Sequence, residues 1–113
     1  MQMLFIILNR EDLLDDIISA MIELEITGAT ILDGVGMERV LAEDVPIFAG
    51  LLRSISGSRS YNKNIVALIR QKDTIEELVA LLKDSDIDFM DVGVGKMFSI
   101  PVDFYIGSEE VIE

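Results

Sequence analysis

The sequence predicts an α+β sandwich, a four-stranded antiparallel sheet backed by two helices. Three observations carry that expectation. Four short apolar runs have the length of strands, two amphipathic stretches at helical spacing alternate with them, and a Gly- and Ser-punctuated insert separates the two halves. The order is strand, helix, strand, long insert, strand, helix, strand.

Residues 3–8 (Met-Leu-Phe-Ile-Ile-Leu) form a continuous apolar run, the mark of a buried central strand. Asn9 followed by Asp12 reads as a helix cap, with acids crowding the first turn where the helix dipole favours them. Leu13, Leu14, Ile17, Ile18, Met21 and Leu24 recur at helical spacing until Gly28 ends the pattern. A second strand is expected over 29–33. From Gly34 to Lys63 the periodicity is lost. Gly34, Gly36, Pro46, Gly50 and Gly57 punctuate the segment, and Ser54, Ser56, Ser58 and Ser60 crowd its end. Another apolar strand is expected over 64–70. Asp73 or Thr74, with Glu76 or Glu77 three residues on, predicts a capping box for a helix to about Lys83, whose buried stripe is Ile75, Leu78, Val79 and Leu82. The last strand is expected over 96–102, closed by Pro101, with an acidic tail over 103–113. Two β-α-β halves in this order suggest the ferredoxin-like βαββαβ arrangement, a single domain over 1–113 with its insert at about 36–63. One sheet face then has no helix to cover it. Because the strands are apolar on both faces, that open face is expected to pack against other subunits.

Length and composition agree with one packed domain. A chain of 113 residues, half of them apolar, is long enough to bury roughly two-thirds of its unfolded surface. It holds no cysteine and no histidine, which removes disulfides, thiol catalysis, His-based general-base chemistry and Cys/His zinc sites. Any metal would have to sit among oxygens, and none is expected. The longest apolar runs, 3–8 and 45–52, fall short of the about 20 residues that span a membrane. The start Met-Gln-Met lacks the features of a signal peptide, so a cytoplasmic location is expected.

Charge is unevenly spread. The 21 acids and 9 bases give a net −12, yet no acid lies between Val45 and Lys72. That stretch carries Arg53, Arg59, Lys63, Arg70 and Lys72, so it is +5 and the remainder is −17. A strongly acidic body argues against nucleic-acid binding. The basic island is either an anion or partner site, or alternating cations on a solvated strand and loop. Within the same insert, 45–52 (Val-Pro-Ile-Phe-Ala-Gly-Leu-Leu) places eight apolar residues in irregular surroundings. It either folds back on the protein itself or is a patch that docks on a partner. The serines of 54–60 read as a flexible loop rather than a phosphorylation site.

Two further motifs bear on chemistry. The loop 91–96, Asp-Val-Gly-Val-Gly-Lys, offers glycines that let backbone N–H groups approach a phosphate and a lysine that supplies a point charge. It is not a Walker A loop, since no Gly lies five residues before Gly95 and Met97 replaces the Ser or Thr. Asp84, Asp86 and Asp88 open like a calcium loop, but Phe89 and Gly95 stand where Gly and Glu are required, so they read as a solvated helix end. No carboxylate pair is marked out by an apolar setting.

Thr27-Gly28-Ala-Thr30, Gly36-x-x-Arg39, and the stretch Gly93-x-Gly95-Lys96-Met-Phe98-x-Ile-Pro101-Val102 resemble the nitrogen regulatory protein P-II superfamily over about 1–105, outside the insert. The resemblance implies a ferredoxin-like homotrimer, not an enzyme, whose sheets line a central barrel. It implies ATP or ADP, often with 2-oxoglutarate, in clefts between subunits. It also implies a long insert, the T-loop, that docks on transporters, enzymes or regulators. Carried over, Gly93, Val94, Gly95 and Lys96 match the phosphate-binding loop. Gly36, Met37 and Arg39 match the base of the T-loop, and Thr30 matches a strand threonine near the adenine.

The departures are specific. The family's C-terminal Arg-x-Arg is replaced by Phe104-Tyr105-Ile-Gly107-Ser-Glu109-Glu110, with no cation. Charge-assisted bonds contribute roughly 1.5–3 kcal/mol each, so this loss weakens the ATP or ADP expectation. The T-loop glutamine is Val40, and Tyr61 lies too near the loop's return to match the modified tyrosine of some relatives. Arg53, Arg59 and Lys63 are candidates to replace the missing cations. The expected function is a trimeric signalling protein that binds an adenine nucleotide or related anion and regulates a partner, with a membrane transporter as one candidate. The alternative is a trimeric scaffold without a ligand. A metal-tolerance trimer is poorly supplied with copper or zinc ligands, and no nucleophile–base pair for an enzyme can be assembled.

Overall fold

The computed structural model describes residues 1–44 and 61–107. The apolar stretch 45–52, the serines of 54–60, Arg53, Arg59 and the tail beyond Gly107 lie outside the described residues. Four strands are present among the described residues: β1 (Gln2–Leu8), β2 (Thr30–Val35), β3 (Tyr61–Ile69) and β4 (Gly95–Pro101). A 3₁₀ turn (Glu11–Leu13) leads into α1 (Leu14–Glu23), α2 (Met37–Asp44) follows β2, and α3 (Lys72–Asp84) joins β3 to β4. The sheet order is β2-β3-β1-β4 with every neighbouring pair antiparallel. This α+β topology is compatible with the ferredoxin-like arrangement.

Burial along β1 alternates with the two-residue period of a strand. Leu4, Ile6 and Leu8 are fully buried toward the helices, as are Ile65, Ala67 and Ile69 of β3. Ile17 and Met21 of α1 and Leu78 and Leu82 of α3 close over them. The opposite sheet face carries Met3, Phe5, Ile7, Val66, Leu68, Leu32, Phe98 and Ile100, with Phe98 44% and Ile100 47% exposed. No described helix covers it. Phe5 and Phe98 stack across the β1–β4 pair with ring centroids 5.0 Å apart. Among the described residues, no helix is long and apolar enough to cross a membrane.

Several boundaries differ from the sequence expectation for identifiable reasons. Asn9 does not cap α1 through its side chain: neither the 3₁₀ turn nor α1 has a side-chain cap. Its backbone N–H instead donates to the Val94 carbonyl at 2.9 Å, tying the end of β1 to the loop before β4. Asp12 pairs with the Arg10 guanidinium at 2.6 Å. The capping box at Asp73 or Thr74 is also absent. Extended Gln71 precedes α3, its carbonyl accepts the Thr74 N–H at 3.1 Å, and Thr74 is buried. Regular structure reaches into the expected insert from both sides, because β2 and β3 pair as far as Val35 and Tyr61 and α2 begins at Met37. Asn62 and Lys63 hid that part of β3, being polar residues that gain their place from cross-strand partners rather than from strand propensity.

Both core helices end alike. Glu25 (φ 63) and Asp86 (φ 62) take left-handed conformations. In each case the next residue, Ile26 or Ile87, donates its N–H five residues back, to Met21 at 2.8 Å or Leu82 at 2.9 Å. These are Schellman closures with a buried isoleucine as the apolar contact. The first helix thus ends at a strained glutamate rather than at Gly28. Glu25→Gly is expected to stabilise the fold by about 0.5–1 kcal/mol, because only glycine holds this conformation without a Cβ penalty. Asp86→Gly should gain less, since aspartate tolerates it better. Urea unfolding checks this, with Glu25→Gln as the control that removes the charge and keeps the strain.

Candidate functional site

The register of the sheet gathers most of the candidate residues at one end. Leu8, the last residue of β1, faces Lys63 across β3 and Gly95 across β4. Asp33 faces Lys63 from β2, and Val35 faces Tyr61. Gly36, Met37 and Arg39 follow directly, with Gly36 accepting the N–H groups of Arg39 and Val40 at 3.1 and 3.3 Å. The base of the insert and the loop 91–96 therefore lie at the same end of the sheet.

The loop before β4 is built from short-range bonds. Met90 N–H donates to Asp88 Oδ1 at 2.8 Å, and Asp91 N–H to the Asp88 carbonyl at 3.0 Å. Gly93 (φ 88) and Gly95 (φ 141) both occupy backbone regions that side chains disfavour. At Gly95 a Cβ would also run into the Ile7 carbonyl oxygen, whereas at Gly93 it would meet open space. Val94 is 4% exposed and belongs to the core, and its carbonyl is taken by Asn9. Its side chain anchors the loop in the core. Lys96 stands on the uncovered sheet face opposite Ile7, exposed and without an ion pair among the described residues.

Arg39 and Lys63, the other candidate cations among the described residues, are engaged. The Arg39 guanidinium lies 4.4 Å from the centroid of the Tyr61 ring, a cation–π contact that ties α2 to the start of β3. Lys63 Nζ is 2.5 Å from Asp33 Oδ1 and 3.5 Å from Glu11 Oε1. The hydrogen bond to Asp33, aided by the charges of Asp33 and Glu11, raises the Lys63 ammonium above its ordinary value. A cation held between two carboxylates is a poor spare ligand for an anion, which weakens the expectation that Lys63 replaces missing arginines. Met37 is exposed on the first turn of α2.

Thr30 is not brought to this end within one chain. It faces Val66, in the row that continues to Phe5 and Phe98, and it sits on the β2 edge while Lys96 sits on the β4 edge. The residues after β4 leave beside Met1, whose carbonyl accepts the Val102 N–H at 3.1 Å. There Phe104 and Ile106 stand 79% and 83% exposed. Among the described residues, no three His, Cys, Asp or Glu side chains are grouped to hold a metal.

Sequence reasoning missed Asp33, Glu11, Asn62, Asn64 and the contact role of Tyr61. Asn64 Nδ2 donates to Asn62 Oδ1 at 2.8 Å over Gly34, where any Cβ would collide with both carboxamides. Only the β2–β3 register reveals these partners; spacing along the chain carries no signal of them. Comparison with known protein families finds no match for this chain, and no curated protein matches it either.

Two outcomes follow. Gly95→Ala is expected to cost about 3 kcal/mol against about 1 for Gly93→Ala, since only the former adds a backbone collision to the conformational strain. Denaturant midpoints of the two variants check this. In NMR titration, the Lys63 side chain should ionise above the ordinary lysine value of 10.5, and Asp33→Asn should return it toward that value. The stabilisation it provides is complete below 10.5 and lost as pH rises through the folded-state value.

Proposed function

We propose that this chain is a P-II-like regulatory protein that assembles as a ferredoxin-like homotrimer through its uncovered sheet face. An adenine nucleotide or related anion binds between subunits, and the insert after Gly36 transmits the bound state to a protein partner, for which a membrane transporter is one candidate. The protein acts by binding rather than by catalysis. One observation carries the reading: the residues matched to a nucleotide cleft lie on opposite edges of one sheet, Thr30 on β2 and Gly93, Gly95 and Lys96 at the start of β4. A single subunit cannot unite them, but edge-to-edge neighbours in a ring can. The eight large apolar residues on the open face support assembly independently.

The second reading is a trimer of the same fold that has lost its ligand and acts through constant contacts. It is favoured by the engagement of Lys63 with Asp33 and Glu11 and by the absence of cations over 102–107. Calorimetric titration with ATP, ADP and AMP, with and without magnesium, separates the two, provided light scattering establishes a trimer first. The nucleotide reading expects saturable binding that weakens with salt and falls at least about tenfold in Lys96→Ala, the loss of one charge-assisted contact. A folded trimer that gives no heat with any nucleotide leaves the scaffold.

A further inference from the structure

Both outer strands of the sheet present free edges, and their directions suit them to each other. β2 and β4 are separated by three antiparallel steps, so they run in opposite senses. Rotating a copy about an axis along the strands keeps its strand directions. It therefore sets β2 of one copy antiparallel to β4 of the next, and the alternation of the sheet continues unbroken.

The backbone of β4 is arranged for such a neighbour. The Asn9 N–H donates to the Val94 carbonyl and the Val102 N–H to the Met1 carbonyl, and between these bonds β1 and β4 keep one register. In an antiparallel ladder the bonded residues alternate, so Lys96, Phe98 and Ile100 bond to β1. The N–H and C=O groups of Met97 and Ser99 then point away from it, to the free edge. Pro101 belongs to the same outward set and has no N–H to leave unpaired there. Charge, the common guard of an edge, stands only at Asp33, which is held by Lys63, and at Lys96. The stretches 30–32 and 97–100 carry none.

Apolar side chains flank these edges on both faces of the sheet. On the helix side, a groove of about 610 Å³ between α3 and β4 includes Val79. A second, of about 210 Å³, lies between α1 and β2 and includes Ile22 and Ile31. On the uncovered face, Leu32 stands on β2 and Phe98 and Ile100 on β4. All six side chains are at least 37% exposed. One edge-to-edge contact accounts for all of them.

We propose that β4 of each copy pairs antiparallel with β2 of the next, head to tail. The α3–β4 groove of one copy closes against the α1–β2 groove of its neighbour, and three copies complete a ring of twelve strands with the uncovered face inward. This seam rests on the trimer proposed above and names the edges that build it.

The chain has no cysteine, so introduced thiols report on the seam alone. Ser99 of β4 and Ile31 of β2 both stand on the helix side of their edges, the outside of the ring. The probe is a short bismaleimide that cannot span the roughly 14 Å between the outer strands of one four-stranded sheet. A chain carrying both Ser99→Cys and Ile31→Cys should give covalent dimers and a closed trimer on a denaturing gel. Each single variant should stay monomeric there, because like edges do not meet. Dimers from either single variant overturn the proposal, since they report β4 against β4 or β2 against β2. A trimer by light scattering whose double variant fails to cross-link overturns the seam and leaves the trimer standing. An unaltered protein that is monomeric overturns both.

Two blocking variants test the seam without a reagent. Ile31→Lys puts a charge into it, and Ser99→Pro removes an outward N–H without touching the β1 ladder. Each should lower the light-scattering mass to that of one chain while circular dichroism keeps its signal. A trimer that persists in either folded variant overturns the proposal. Cross-linked rings that give no heat with ATP, ADP or AMP confirm the seam and strike the nucleotide reading alone.

Discussion

The placement of β1 between β3 and β4 is the constraint on which the rest depends. Its burial alternates residue by residue, so a slip of one position would turn Leu4, Ile6 and Leu8 to the uncovered face and Phe5 and Ile7 to the helices. Once that register is held, Leu8 has Lys63 on one side and Gly95 on the other. Asp33 is then placed to meet Lys63, and Gly95 is pressed so close to the Ile7 carbonyl that no side chain fits. The end of the sheet that carries the candidate site is thus a consequence of core packing two to six residues away.

The same packing leaves one face of the sheet bare. Ile17 and Met21 of α1 and Leu78 and Leu82 of α3 pack into one core with Leu4, Ile6 and Leu8, so both helices lie on the same side of the sheet. The halves are alike down to their helix ends, where Glu25 and Asp86 turn the chain and Ile26 and Ile87 plug the core. A fold built this way buries Leu4, Ile6, Leu8, Ile65, Ala67 and Ile69 with its own helices and has nothing left for Phe5, Val66, Phe98 and Ile100. Eight large apolar residues on one sheet face exceed the scattered exposure normal for a monomer. The stacking of Phe5 on Phe98 organises that face without covering it.

What was legible in the sequence was whatever repeats. Apolar runs and helical spacing located four strands and both core helices to within a few residues, because burial imposes a period on the chain. Helix ends were misread. Asn9, Asp73 and Thr74 have the chemistry of caps, yet backbone closures and the Asn9–Val94 bond took those roles instead. The start of β3 was hidden because Asn62 and Lys63 are strand residues only by virtue of β2 beside them. In the candidate site, the glycines and Lys96 could be named from the loop's composition. The engagement of Lys63 with Asp33 and Glu11, the stacking of Arg39 on Tyr61 and the burial of Val94 could not, since each depends on a partner far along the chain.

Electrostatics decides how strong an anion site this end of the sheet can offer. The chain carries −12, so a polyphosphate approaches against a repulsive field that only local cations offset. Of the described cations at this end, Lys63 is matched by Asp33 and Glu11, and Arg39 lies against the Tyr61 ring. Lys96 remains, standing beside Gly95 and near Gly93, both of positive φ. One ammonium suits a singly or doubly charged anion better than a triphosphate, whose charge calls for several guanidinium contacts. A neighbouring subunit would have to bring further cations for ATP to be favoured, and over 102–107 it brings Phe104, Tyr105 and Ile106 instead. If an adenine nucleotide binds here as proposed, this charge balance favours one with fewer phosphates.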